Sequence, residues 1–149
     1  MNAALGDGSV LATLRRMLRL LFVVGTLGLG TELLLLVHTK EVLQLVPLVL
    51  LGVGLVLLIW DSKAGSSASV QAFRVTSATF VLAGIAGLVL HFKGNVETVR
   101  EFSPDLHGAT FFWRVIHGKN PPSLAPGAMV QLGLLGWISA YRHASERKR

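Results

Sequence analysis

The sequence predicts an all-α, polytopic membrane protein: four transmembrane helices in an up-down bundle, with one amphipathic helix in the outer loop. Two observations predict it. Hydrophobic residues make up 52% of the chain and charged residues only 15%, far below the quarter usual in a soluble domain. The apolar residues are also gathered into four runs, about 18–38, 42–60, 74–92 and 124–141. A helix needs about 20 such residues to cross ~30 Å of hydrocarbon at ~1.5 Å per residue. All 149 residues are expected to form a single domain.

The absence of cysteine excludes disulfides, thiolate metal sites and redox chemistry through a Cys pair. A net charge of +6 raises the possibility of nucleic acid, but the basic residues flank apolar runs instead of forming a stripe. No nucleic-acid partner is expected.

Residues 1–14 are small and weakly apolar, broken by Gly6 and Gly8, and predict a mobile tail. Arg15, Arg16 and Arg19 introduce the first apolar run. It has the look of a signal peptide, but it continues past the length of a cleaved one and offers no small-residue cleavage site, so a retained helix is expected. Glu32 interrupts it. An ionisable group at such a position is costly in hydrocarbon and marks a functional site by default. Gly25, Gly28 and Glu32 fall on one helical face, where the glycines permit close approach of a neighbour.

The second span, Val42 to Trp60, carries no charge and has Pro47 near its start, where it frees few carbonyl partners. The Ser- and Gly-rich stretch Asp61 to Arg74 predicts a flexible loop. The third span runs from Val75 to about His91, with Thr79, Ala83 and Gly87 as a small-residue stripe.

Residues 94–118 form the outer amphipathic segment. Its first part extends the third helix with Val96, Val99 and Phe102 on one side. Ser103-Pro104-Asp105 then predicts a new helix start, with Ser103 as cap, running to about His117 and ended by Gly118. Ala109, Phe112, Trp113, Val115 and Ile116 share its apolar face, suited to a membrane interface. Asn120-Pro121-Pro122 leads into the last span, with Pro126 in its first turn and Gly133, Gly136 and Ala140 as a small face.

Four spans put both termini on one side, and nine of the fourteen basic residues lie there, which predicts that both termini are cytoplasmic. Trp60, Trp137 and Tyr141 would form the inner aromatic belt. The expected location is the bacterial cytoplasmic (inner) membrane, with the lipid bilayer as the first partner.

Two constellations can carry chemistry on this topology. His38, His91, His107 and His117 fall on the outer side with Glu97, and imidazole with carboxylate is an ordinary metal or haem ligand set. His107 and His117 stand about 15 Å apart along a helix, so His38 with His91 is the pair that can share an ion. Interface histidines are the commoner reading, and the cofactor is left unassigned. The second constellation is an intramembrane polar site of Glu32, Gln131 and Gln44, with Glu32 and Gln131 expected at the same depth. It can bind a proton, a cation or an amine, or it can be an interhelical hydrogen bond that joins the bundle.

Three stretches, TELLLLVHTKEVLQLVPLVLLG from Thr31, HFKGNVETVREFSP from His91 and NPPSLAPGAMVQLGLLGWISAYRH from Asn120, resemble a group of small bacterial four-helix integral membrane proteins. The resemblance implies a bacterial membrane location and singles out Glu32, His38, His91, Asn95, Glu97 and Pro126; it transfers no activity. The expected role is a non-enzymatic accessory or assembly partner, contacting other membrane subunits or self-associating. The alternatives are a transporter or channel component using Glu32, and a haem- or metal-binding protein with outer-face histidines.

Overall fold

The computed structural model describes residues 2–36, 42–117 and 124–141. They form five helices in chain order: α1 Asn2–Leu35, α2 Val42–Ala64, α3 Ser67–Phe102, α4 Gly108–Ile116 and α5 Leu124–Ser139. The protein is all-α, and no strand occurs among the described residues. Three helices are long and apolar enough to cross a membrane: α1 over Gly8–Leu35, α2 and α3. Its 16 residues make α5 a shorter apolar helix, about 24 Å long.

Three boundaries differ from those read in the sequence, each for a local physical reason. The expected tail is helical from Asn2 onward. Extending an existing helix adds about one hydrogen bond per residue fixed, which here overrides the ~1 kcal/mol that each of Gly6 and Gly8 costs. The expected loop from Asp61 to Arg74 is a turn of only Gly65 and Ser66. Gly65 adopts a left-handed φ of 53° and donates its N–H to the Asp61 carbonyl, ending α2. Ser66 caps α3 at once, accepting from the Ser69 N–H while the Ser69 hydroxyl accepts from the Ser66 N–H. Serines that suggested disorder are therefore capping residues. At the other end, Ser103 closes α3 instead of opening α4: its N–H reaches the Val99 carbonyl. Pro104 and Asp105 form the turn that follows, and α4 starts at Gly108 behind His107.

α1 packs on α2 and α5, and α3 packs on α2 and α5. The core is an aromatic cluster with aliphatic flanks. Phe22 meets Phe73 edge-on at 5.3 Å and stacks on Phe80 at 5.8 Å, and all three rings are buried. Gly54 of α2 leaves room for them, since a Cβ there would stand 2.8 Å from the Phe80 ring. Such ring pairs add ~0.5–1.5 kcal/mol beyond the area they bury. Around the core the outward faces are apolar, including Leu20, Val24, Leu27, Val56, Ile59 and Leu82, each more than half exposed. A surface of that chemistry suits lipid.

The tightest contact is between α3 and α5. The Cβ positions of Gly84 and Gly133 lie against backbone atoms of the opposite helix, and Gly136 accommodates the Ser77 side chain. This is close packing through small residues, as expected, but only in part through the expected set. Thr79 is exposed and bonds back to the Val75 carbonyl, whereas Gly87 does abut Pro126. Ser77 and Gly84, one helical face away, make the closest approach.

Candidate functional site

The polar residues singled out in the sequence sort into separate places. Glu32 lies one turn before the end of α1, and Gln131 lies near the middle of α5; both are exposed. The packing of α1 on α5 sets Gly25 against Leu132 and Phe22 against Gly136. Antiparallel helices in that register bring Glu32 level with Ala125 and Gln131 level with Thr26. The two side chains therefore differ in depth by six residues, or about 9 Å. Among the described residues no hydrogen bond joins them. The expected shared depth fails because α1 ends at Leu35, only three residues past Glu32, whereas Gln131 lies seven residues into α5, which begins at Leu124 as expected.

Gln44 instead faces a cavity of about 460 Å³ toward the end of the molecule where α2 begins. His91, Asn95 and Thr98 of α3 line the same cavity, with Leu33, Pro47 and Met129 as apolar wall. Three of the residues named from the sequence thus share one chamber, although in a different grouping. His91, Asn95 and Thr98 sit on α3 at i, i+4 and i+7, so one face of a long helix presents them together, with Gln44 opposite on α2. The arrangement offers an imidazole and two amides over an apolar floor, which is a hydrogen-bonding site with no carboxylate in its lining.

Asn95 has a further structural task. Its Nδ2 donates to the Val115 carbonyl at 3.0 Å, and Val115 is fully buried, so this bond holds α4 against α3. Asn95→Leu is expected to cost ~1 kcal/mol and to free α4 locally. Amide hydrogen exchange across residues 108–116 measures this, and unchanged protection there would contradict it. The rest of α4 turns outward: Phe112 and Trp113 are exposed, Trp113 stacks on His117 at 3.8 Å, and Arg100 lies over the half-buried Phe111 ring.

The other outer-face candidates stay apart. Glu97 is exposed on α3, His107 lines a small cavity at the turn before α4, and His117 caps the end of α4. His38 lies outside the described residues. Among the described residues no three His or acidic side chains come close enough to hold a metal ion.

One polar cluster was missed in the sequence. Asp61, 1% exposed in the last turn of α2, accepts from Arg19 Nη2 at 2.6 Å and from the Ser69 hydroxyl at 3.2 Å. Arg19 Nη1 also donates to Ser62. α1, α2 and α3 are thereby tied together at one end by a buried ion pair. Its only sequence signal was an acid one turn before a Gly-Ser stop, which reads equally well as a surface residue.

The fold and its apolar faces define a helical membrane protein, with three helices able to span. Comparison with family models, curated proteins and solved structures finds no match to this chain.

Proposed function

We propose that the chain is a non-enzymatic, four-helix protein of the bacterial inner membrane that acts as an accessory or assembly subunit, holding other membrane-embedded helices. In this reading α5 is the fourth span. Its shortness is tolerable because Pro126, Met129, Leu132, Gly133 and Gly136 are buried between α1 and α3, so much of it meets protein instead of lipid. Both termini lie in the cytoplasm, on the side of the Arg15, Arg16, Arg19 and Lys63 charges, with exposed Trp60, Trp137 and Tyr141 at that interface.

The observation that carries the proposal is the exposure of Glu32. It stands on a face of α1 with exposed Val24, Gly28 and Leu35, so the described residues on that face are apolar. A carboxylate there is costly in lipid and is relieved by a donor from another helix. Gly28 has no atom within 4 Å of its Cβ position, leaving an open place for such a helix to approach. Transport through Glu32 draws less support, since Glu32 lines neither the arginine-bordered cleft, nor the chamber of Gln44 and His91, nor the small cavity at His107. A haem or metal role draws less support again, because the outer-face histidines that are described stand apart.

Photo-crosslinking tests the proposal. A photoreactive residue at Val24 is expected to give a crosslinked species in native membranes, whereas one at Val89, exposed on α3, does not. Glu32→Leu is expected to lower the Val24 product at least about fivefold, for a lost interhelical polar contact of ~1 kcal/mol or more. Equal yields from both positions, or a yield indifferent to Glu32, would overturn it.

A further inference from the structure

At the end of the molecule that carries the arginines, α1 and α2 part and leave a cleft of about 700 Å³. Its lining is divided by chemistry. Arg15, Arg16, Arg19 and Lys63 border it together with an apolar set that includes Leu20, Leu58 and Ile59. The division follows from the antiparallel course of the two helices, fixed by the contacts of Arg19 with Asp61 and of Phe22 with Gly54. On α1 the basic positions come before the apolar ones, and on α2 they come after. Both helices therefore direct their charges toward the aqueous end and their apolar side chains toward the middle of the spans.

Among the described residues no acidic side chain lines this cleft. Asp61, the nearest carboxylate along α2, is engaged by Arg19 and Ser69. Arg16 and Lys63 are both exposed, so the two opposed helices present cations across the same opening. Arg19 also holds a buried Nε–H with no hydrogen-bond partner among the described residues. Its Nη1 and Nη2 are taken by Ser62 and Asp61, so Nε is the part of the guanidinium left without an acceptor among the described residues.

We propose that this cleft binds the headgroup of an anionic phospholipid. A phosphodiester accepts charge-assisted hydrogen bonds from guanidinium and ammonium groups, and its acyl chains can lie along the apolar half. Neither alternative ligand fits the whole lining. A zwitterionic headgroup brings its own cation into a ring of cations, and free phosphate leaves the apolar half without use.

The test uses the full chain purified in mild detergent and mixed with equal amounts of phosphatidylglycerol and phosphatidylcholine of identical acyl chains. Native mass spectrometry reads which lipid is retained. Phosphatidylglycerol is expected to be kept at least about tenfold over phosphatidylcholine. The double variant Arg16→Gln/Lys63→Gln, which leaves the Arg19 and Asp61 pair intact, should lose most of that preference. Arg16→Lys/Lys63→Arg should retain it, and so should Lys93→Gln/Arg100→Gln at the opposite end. Equal retention of the two lipids overturns the proposal, as does a preference that survives in the Gln variant. Displacement of the bound lipid by millimolar inorganic phosphate would reassign the cleft to a free anion and overturn the lipid reading.

Discussion

Leucine at Gly84 or at Gly133 is expected to prevent the chain from reaching its folded state, and alanine at either position to destabilise it severely. The cause is the identity of the atoms that a side chain would meet. A Cβ at Gly84 would stand 2.6 Å from the Pro126 carbonyl oxygen and 2.9 Å from the Val130 nitrogen. At Gly133 it would stand 2.6 Å from the Ser77 carbonyl oxygen and 2.8 Å from the Val81 nitrogen. These are backbone atoms inside helices and cannot rotate away as a side chain can. Overpacking a core costs ~1–3 kcal/mol when side chains yield, so alanine here is expected at or beyond the top of that range. The controls are Gly52 and Gly94, whose Cβ positions have nothing within 4 Å. Alanine there is expected to be neutral or to stabilise by ~0.5–1 kcal/mol, through helix propensity alone. Loss of helical signal during titration with a denaturing detergent measures all four variants. If Gly84→Ala and Gly133→Ala unfold at the same point as Gly52→Ala, the helix separation described for α3 and α5 is wrong.

Gly133 and Gly136 were legible in the sequence as a small face on an apolar helix, because small residues at helical spacing have few other uses there. Their partners were not. Thr79, Ala83 and Gly87, four apart, and Ser77 and Gly84, seven apart, are both helical spacings, and composition does not tell which of two neighbouring faces of α3 turns inward. Three of the four apolar runs are helices long enough to span, as length and the scarcity of charge within them suggest, whereas the fourth forms the shorter α5. Helix ends were read poorly wherever a residue type serves two purposes. Ser66 and Ser69 looked like loop residues and are a cap, whereas Ser103 looked like a cap opening α4 and closes α3. The candidate site suffered the same way. Gln44, His91 and Asn95 were each identified as polar residues worth testing, but their convergence on one cavity depends on the register of α2 against α3. Glu32 and Gln131 were paired by depth alone, and an error of a few residues in register moved them about 9 Å apart.

Asp61 was invisible for a related reason: an acid at the end of a span is ordinary, and only the fold reveals that it is buried. Asp61→Ala is expected to be among the most damaging single changes outside the glycines, at ~3–5 kcal/mol. Removing the carboxylate leaves the Arg19 guanidinium, itself only 19% exposed, beside an uncompensated cavity, while the Ser69 hydroxyl keeps its bonds to the Ser66 backbone. Asp61→Asn keeps an acceptor of the same shape and is expected to lose less, since it removes charge but not the hydrogen-bonding position. The decisive comparison is the double variant Arg19→Met/Asp61→Leu. A buried ion pair exchanged for well-packed apolar residues of similar size is often neutral or stabilising, so the pair change should recover most of what Asp61→Ala alone loses. A double-mutant cycle in the same detergent titration then separates the interaction from the packing of each side chain. A cost below ~1 kcal/mol for Asp61→Ala would place the pair with exposed surface bridges and contradict its burial. A double variant as unstable as the single one would instead show that the apolar pair does not fill the space the ion pair leaves, and would contradict the exchange expected here.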